Sequence, residues 1–268
     1  MNAAVELIAQ SRKIVLKFGS NTLAGSNGRI NNALLGEFAE QAAALINQGK
    51  QIVIVSSGAQ IAGLSTMDKW ERKRDIHYRQ ALCAVGQVKL MNAWEQAFTP
   101  LGIHIAQILL TRDDFTCNTR TLNMRNTLFT LVDEGIVPII NENDTVSVEE
   151  IKIGDNDTLA AQSAILWSAD LLILFSDIDG LYDKNPRKYP DAKLVTQVRD
   201  ITAVRQPANA EGSDGGPGEF GTGGIVTKLE AAEQVVSYGI PMILTSGGQK
   251  RALESLAAGT GQGTAFLV

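Results

Sequence analysis

The sequence predicts an α/β fold: a three-layer α/β/α sandwich in which helices cover both faces of a mainly parallel central sheet. Short apolar runs recur along the 268-residue chain, and segments with apolar residues at helical spacing lie between them. Near-continuous apolar runs are typical of strands that are buried on both faces of a parallel sheet. Strands that alternate with helices require crossover connections, which place the helices on the two faces.

Six β-branched runs are the predicted strands. They are KIVLKF from Lys13, QIVIVSS from Gln51, GIHIAQILLT from Gly102, GIVPIIN from Gly135, DLLILFSD from Asp170 and IPMILTS from Ile240. Helical spacing is found from Asn31 to Ile46 and in YRQALCAVGQVKLMNAWEQAF, TRTLNMRNTLFTLVDEG, DTLAAQSAILWSA and GIVTKLEAAEQVVSYG. Glycine follows the last apolar position of several of these segments, as expected at a helix end.

The alternation is interrupted in residues 206–224, QPANAEGSDGGPGEFGTGG. A glycine-rich connection of this length is usually mobile or functional. The chain contains no internal repeat and no proline-rich linker. We therefore predict a single domain over residues 1–268, with an N-terminal lobe of about residues 1–168 and a C-terminal lobe of about residues 169–268.

Composition argues against several classes of protein. The formal net charge of −5 disfavours nucleic acid as the main partner. Cys83 and Cys117 lie far apart without a CxxC motif, and the two histidines, His77 and His104, form no HExxH zinc motif. No run reaches the roughly 18 apolar residues of a membrane-spanning helix, and the N-terminus lacks the layout of a signal peptide. These features favour a soluble, cytoplasmic protein with no membrane partner.

Ligands bind open α/β sheets outside the carboxyl ends of the strands, so the strand-to-turn junctions are candidate sites. In LKFGSNTL, Lys17 lies within an apolar strand, and Gly19 and Ser20 follow with backbone N–H groups suited to an anion. The alternative is an edge strand whose lysine reaches solvent. In VSSGAQIAG, Ser57 lies before a helix N-terminus, where it can help to bind an anion or merely cap the helix.

Two clusters of Asn and Asp lie close together in the sequence. Asn141 to Asp144 follow one apolar run, and Asp155 to Asp157 precede the helix TLAAQSAILW. Asn156 or Asp157 could cap this helix, but one cap does not explain both clusters. Their carboxylates fit an ammonium group and their amides fit a carboxylate, which are the groups of a zwitterionic amino acid.

Two further junctions favour a phosphate-rich ligand. Ser176 and Asp177 close the strand DLLILFSD, and the turns after it do not match an EF-hand. GTGGIVTKLEAA runs from glycines into a helix that carries Lys228; it is not a Walker A motif, and a flexible loop is the alternative. Lys17 and Lys228 together could neutralise a polyphosphate and steer phosphoryl transfer.

These motifs resemble the amino acid kinase family, and within it the glutamate 5-kinases, nearly end to end. The resemblance rests on VLKFGSNTL, IVIVSSGAQIAG, QALCAVGQ, LLTRDDF, IVPIINENDTV, IKIGDNDTLAA, DLLILFSDIDGLYDKNPR and GTGGIVTKLEAA. The pair NENDTV and GDND distinguishes it from sister kinases. The resemblance implies ATP-dependent phosphorylation of the γ-carboxylate of L-glutamate, the first step of proline biosynthesis, with Mg²⁺ and by direct in-line transfer.

The resemblance also implies residue roles. Lys17 and Lys228 would contact the ATP phosphates, and Asp155 would organise the two lysines. Glutamate would be bound by the N-terminal lobe, through Ser57, Asp144, Asn156, Asp157 and Asn141. ATP would be bound mainly by the C-terminal lobe, through Lys17, Gly19, Ser176, Asp177, Thr222, Gly223, Gly224, Ile225, Val226, Thr227 and Lys228. The sequence assigns no protein ligand to the metal.

Three departures from the family pattern bear on the nucleotide, on regulation and on assembly. Ile225 stands where the family often has methionine, and Met67–Gln80 matches poorly in a region that relatives use for inhibition by L-proline. The chain stops at Val268, so we expect the form without a C-terminal PUA domain, and relatives associate as homo-oligomers, dimers or tetramers. The alternatives are a sister kinase with another carboxylate or phosphate acceptor, and an inactive small-molecule sensor.

Overall fold

The computed structural model of the chain describes residues 3–25, 27–67, 75–147, 156–184, 186, 188–204 and 224–268. The strands are β1 Lys13–Phe18, β2 Gln51–Ser56, β3 Ile105–Leu110, β4 Val137–Glu142, β5 Leu171–Ser176, β6 Leu181–Tyr182, β7 Leu194–Val195, β8 Gln197–Val198, β9 Met242–Ser246 and β10 Thr264–Phe266. Eight of them form one sheet in the order β3-β4-β2-β1-β5-β9-β10-β8, while β6 and β7 pair with each other. Within the eight-stranded sheet the β9–β10 pair is antiparallel and the other pairs are parallel. The six predicted strands are confirmed.

Helices pack on both faces of this sheet, as predicted. They are α1 Ala3–Gln10, α2 Ser20–Leu23, α3 Asn32–Asn47, α4 Ala59–Met67, α5 Ile76–Phe98, α6 Asn118–Asp133, α7 Asn156–Trp167, α8 Ile225–Ser237 and α9 Ala252–Ala257. The predicted stop after α3 is Gly49, which has a φ of +85°. Within the described residues, every helix is too short or too polar to cross a membrane. Most of the glycine-rich segment 206–224 lies outside the described residues.

The direction of Lys17 follows from the alternation of side chains along β1. Ile14 and Leu16 pack in a core cluster with α3 and α5, whereas Val15 packs in a second cluster with α7 and α8. Lys17, two residues after Val15, therefore faces α7 and α8. The alternative of an edge-strand lysine is wrong, because β1 lies between β2 and β5 and Lys17 is only 6% exposed.

Two glycines allow α4 and α5 to approach each other closely. A Cβ atom at Gly86 would lie 1.8 Å from the carbonyl oxygen of Ala59, and one at Gly63 would lie 2.0 Å from that of Leu82. A side chain at either position would force the helices apart, because the interior is already close-packed. The close contact holds α5 against the ends of β2 and β4, where the polar residues of the next subsection lie.

Candidate active site

The candidate active site lies at the carboxyl ends of β1, β2, β4 and β5, where the first turns of α7 and α8 meet them. This edge of an open α/β sheet is where ligands bind. Lys17 comes from β1, Asn156 and Asp157 come from α7, and Thr227 and Lys228 come from α8. Residues that are distant in the sequence thus meet at one point.

A single carboxylate joins the two predicted lysines. Lys17 Nζ lies 2.5 Å from Asp157 Oδ1, and Lys228 Nζ lies 3.2 Å from Asp157 Oδ2. The hydroxyl of Thr227 donates to the same Oδ2 atom at 2.9 Å. Asp157 is 1% exposed, and both lysines are buried. We call this group of Lys17, Asp157, Thr227 and Lys228 the lysine bridge.

The carboxylate of the lysine bridge is held in its charged form. Burial alone would raise the pKa of Asp157, since a buried carboxylate loses its hydration. The charges of Lys17 and Lys228, with hydrogen bonds from Lys17 and Thr227, outweigh burial and hold the pKa of Asp157 well below its usual value. Two ammonium groups against one carboxylate leave an excess of positive charge, which suits an anionic ligand.

The position of Asp157 gives it a role that the sequence-based assignment did not include. The family resemblance implied that Asp155 organises the two lysines and that Asp157 lies near glutamate; in the structure Asp157 bridges the lysines. Asp155 itself lies outside the described residues, so its catalytic role stays a prediction. The alternative that Asp157 only caps a helix is wrong, because its two oxygens bind the side chains of the bridge.

Neutral amides and a hydroxyl form a second group beside the bridge. Asn156 Nδ2 donates to Ser57 Oγ at 2.5 Å and to Asn141 Oδ1 at 3.0 Å, and Asn141 Nδ2 donates to Gln87 Oε1 at 2.8 Å. We call these four residues the amide cluster. Because Ser57 Oγ accepts from Asn156, the Ser57 proton can be donated to a ligand. Asn156 and Asp157 are consecutive, so the first turn of α7 connects the amide cluster to the lysine bridge.

Asp144, which was predicted to bind glutamate, lies just after β4 and against α5. Its backbone oxygen accepts from Gln80 Nε2 at 3.1 Å. Burial raises the pKa of Asp144 to about 6, although a Cys83 hydrogen bond and the charge of Arg79 act in the opposite direction. The ionised form of such a buried carboxylate is poorly stabilised by the protein, so a cation that binds beside it stabilises it strongly. Asp144 therefore has the properties of a receptor for an ammonium group.

Three of the residues predicted for the nucleotide, Gly19, Ser176 and Asp177, lie around the end of β5. Ser176 Oγ donates to Asp177 Oδ1 at 3.0 Å, and the backbone oxygen of Ser176 accepts from Gly247 N at 2.8 Å. The N–H group of Gly19, a predicted anion donor, instead donates to the backbone oxygen of Phe175 at 3.3 Å. The ATP contacts of these residues stay predictions.

The predicted phosphate loop is described only in part. Gly224 is the N-cap residue of α8, and Ile225 and Val226 are half-buried in its first turn. Thr222 and Gly223 lie outside the described residues. The helix N-terminus nevertheless meets the lysine bridge, because Thr227 and Lys228 lie in the same turn.

Three residues of α5 contact the site and were not among the predicted site residues: Gln80, Cys83 and Gln87. They recur at positions i, i+3 and i+7, so they share one face of the helix. All three belong to the motif QALCAVGQ. Polar residues at helical spacing within an otherwise apolar motif were the signal that could have identified them.

The fold and the site define a class of protein, a phosphotransferase with an α/β/α core and two paired lysines, one from a strand end and one from a helix N-terminus. A profile of the Amino acid kinase family matches residues 12–246, and the chain belongs to that family. Curated relatives at high identity are named glutamate 5-kinase. The chain is 59% identical over 261 residues to that of Alkaliphilus metalliredigens (strain QYMF), with 97% of each chain covered. It is 46% identical to that of Geobacter sulfurreducens (strain ATCC 51573 / DSM 12127 / PCA), over 97% of this chain and 69% of the relative.

Solved structures of low sequence identity share the fold. The UMP kinase from Ureaplasma parvum has a TM-score of 0.65 at 16% identity, with 97% of this chain and 100% of that chain covered. A structure of isopentenyl phosphate kinase has a TM-score of 0.63 at 16% identity, with 94% and 99% covered. These two similarities concern the fold alone, and the predicted fold class is confirmed.

Proposed function

We propose that this protein transfers the γ-phosphoryl group of ATP to the γ-carboxylate of L-glutamate, which gives L-glutamyl 5-phosphate in the first step of proline biosynthesis. The observation that carries the proposal is the bridging of two buried lysines by Asp157, directly beside the amide cluster. Relatives named glutamate 5-kinase that match nearly the whole chain support glutamate as the acceptor. A sister kinase or an inactive sensor is not favoured.

The chemical difficulty of this reaction is electrostatic. A γ-carboxylate is already ionised at pH 7 and needs no general base, but it must approach an anionic triphosphate. Lys17 and Lys228 would offset this repulsion and stabilise the charge on the transferred group. Asp157 fixes the direction of both ammonium groups before substrates arrive, so little reorganisation is needed during the transfer. In-line transfer without a phosphoenzyme follows, since no protein nucleophile is required.

Asp144 and three residues of the amide cluster, Ser57, Asn141 and Asn156, would hold glutamate. The carboxylate of Asp144 suits the α-ammonium group, while the Ser57 hydroxyl and the Asn141 amide can donate to the carboxylates. Asn156 donates to both Ser57 and Asn141 and so holds these two donors in place. Asn156 would thereby place the acceptor next to Asp157 and the lysine bridge. Correct placement of an acceptor is itself a large part of catalysis, because it removes translational freedom before the reaction.

Mg²⁺ would enter this site as the ATP complex. The described residues contain no group of three or more His, Cys, Asp or Glu side chains that could hold a metal. Mg²⁺ usually keeps several waters and is bound by substrate phosphates with one or two carboxylates, so the site is compatible with the metal complex as substrate.

Four further properties stay predictions for this chain. They are a glutamate-binding N-terminal lobe and an ATP-binding C-terminal lobe, a cytoplasmic location, a homo-oligomeric state, and inhibition by L-proline. Of the region tied to proline, residues 68–74 lie outside the described residues, and Asp75 caps α5 through hydrogen bonds from the N–H groups of His77 and Tyr78.

A coupled assay of ADP release with ATP, Mg²⁺ and a panel of acceptors tests the proposed function. We expect turnover and hydroxamate formation with L-glutamate and none with L-aspartate, N-acetylglutamate, carbamate or UMP. Turnover with another acceptor instead of glutamate would indicate a sister kinase. ATP binding without turnover of any acceptor would indicate a sensor.

A further inference from the structure

Gln87 lies next to the proposed glutamate site, but the proposed function gives it no role. It belongs to α5 and is 9% exposed. Its side-chain oxygen accepts from Asn141 Nδ2 at 2.8 Å. Within the described part of the chain, its side-chain nitrogen has no hydrogen-bond partner. An unpaired buried N–H group lowers stability, so a purely stabilising role does not explain this glutamine.

The orientation of the Gln87 amide follows from its neighbours. The backbone N–H of Glu142 donates to the side-chain oxygen of Asn141 at 2.9 Å. A backbone N–H can only donate, so this contact determines which end of the Asn141 amide carries the oxygen. The nitrogen end of Asn141 therefore faces Gln87, which must present an oxygen to it.

The oriented amide of Asn141 then determines the rest of the amide cluster. Its oxygen accepts from Asn156 Nδ2, and the same nitrogen of Asn156 donates to Ser57 Oγ. Both protons of the Asn156 amide are thus used in these two hydrogen bonds. The cluster therefore fixes the direction of the Asn156 amide oxygen and of the Ser57 hydroxyl proton. The N–H of Glu142 therefore holds the oxygen end of the Asn141 amide, and Gln87 holds its nitrogen end. From Asn141 the hydrogen bonds continue to the other residues proposed to hold glutamate.

We propose that Gln87 is a positioning residue for glutamate: its side-chain oxygen locks the Asn141 amide, and through it the donors that the substrate carboxylates meet. The inference rests on the proposed function. The close contact of Gly86 with Ala59 keeps this part of α5 at a fixed distance from the end of β2. Trp94 adds a second tie, since its Nε1 donates to Ser56 Oγ at 2.9 Å.

The test is a double-mutant cycle on steady-state kinetics with Gln87→Leu and Asn141→Ala. Gln87→Leu should raise the KM for glutamate by at least about tenfold, while kcat and the KM for ATP change by less than about threefold. Because Gln87 acts through Asn141, adding Gln87→Leu to the Asn141→Ala protein should change the glutamate KM no further.

Gln41→Leu is the matched control. Gln41 is a buried glutamine of α3 that donates to the backbone oxygen of Glu37 and accepts from the N–H of Glu254. Its loss should lower the Tm and leave the glutamate KM unchanged, whereas Gln87→Leu should change the KM with a smaller loss in Tm.

Two results would overturn the inference while the wild-type protein still phosphorylates glutamate. One is an unchanged glutamate KM in Gln87→Leu. The other is a further rise in KM when Gln87→Leu is added to Asn141→Ala, which would mean that Gln87 acts independently of Asn141. A wild-type protein without glutamate turnover would overturn the proposed function and this inference together.

Discussion

The lysine bridge and the surroundings of Asp144 shift the pKa of a buried aspartate in opposite directions. Asp157 is surrounded by Lys17, Lys228 and Thr227, and its pKa is lowered. Asp144 is also buried, but the Cys83 hydrogen bond and the charge of Arg79 do not offset its desolvation, and its pKa is raised to about 6. Burial raises the pKa at both positions, so the neighbouring charges and hydrogen bonds determine whether the final pKa is raised or lowered.

This difference in pKa separates two functions within one site, the chemical step and the binding of glutamate. The lysine bridge is complete within the protein, because its carboxylate already has two cations. The protein does not fully stabilise the charge of Asp144, so a cation that comes with the substrate would stabilise it further. We therefore expect changes in the bridge to affect mainly the chemical step and changes at Asp144 to affect mainly glutamate binding.

The largest expected effect follows removal of one cation of the bridge. Lys228→Ala should lower kcat by at least about 100-fold, because a preorganised charge at the transferred phosphoryl group is lost. Lys89→Ala, which removes an exposed lysine of α5, is the control and should leave kcat unchanged. A kcat for Lys228→Ala equal to that of the control would remove the bridge from the mechanism.

The next effect concerns the receptor for the ammonium group. Asp144→Asn should raise the glutamate KM by about tenfold or more, because a charge-assisted contact becomes a neutral one. The KM for ATP should change little. If the variant instead lost ATP affinity and kept its glutamate KM, the two regions would have been assigned the wrong way round.

The opposite pKa shifts predict which step depends on pH. Asp144 takes up a proton as the pH falls through about 6, so kcat/KM for glutamate should fall below that pH by up to about tenfold per pH unit. The pKa of Asp157 is lowered, so the stability that its ionised form contributes is present above the usual carboxyl range and is lost only in strong acid. A pH profile of kcat/KM checks this, and the inflection near pH 6 should be absent from Asp144→Asn.

The smallest effect is expected from the hydroxyl of the bridge. Thr227→Val removes one hydrogen bond to Asp157 and keeps the shape of the side chain. The Thr227 proton is shared between the Asp157 carboxylate and the backbone oxygen of Gly224 at 3.0 Å, so we expect kcat to fall only by about fivefold. Thr227→Ser keeps the hydroxyl and should retain most of the activity. Equal loss in both variants would assign the effect to packing.

The six long strands were predictable because each is a near-continuous apolar run, and five of them are buried on both faces, whereas the edge strand β3 is mostly half-buried. The bounds of KIVLKF are those of β1, Lys13–Phe18. The strands β6, β7, β8 and β10 were missed, since two or three residues are too few to show a period. Their positions depend on tertiary contacts such as the Thr264 hydroxyl, which accepts from Leu181 N and donates to Val195 O.

The site was predictable to the level of its clusters, but not always to the residue. Lys17 and Lys228 were identified because a lysine in a buried strand and a lysine after a glycine-rich helix entry each require an explanation. Asp155 and Asp157 belong to the same short cluster, so the sequence alone could not decide which of them lies between the lysines. Gln87 was missed because its partner Asn141 is distant in the sequence.

A crystal structure of the protein with a non-hydrolysable ATP analogue, Mg²⁺ and L-glutamate tests the central claim most directly. We predict that Lys17 Nζ and Lys228 Nζ both lie within hydrogen-bonding distance of phosphate oxygens, while the Asp157 carboxylate still lies between them. Glutamate should present its γ-carboxylate to the terminal phosphoryl group from the side of Asn156. A structure in which either ammonium group cannot reach any phosphate oxygen would contradict the account.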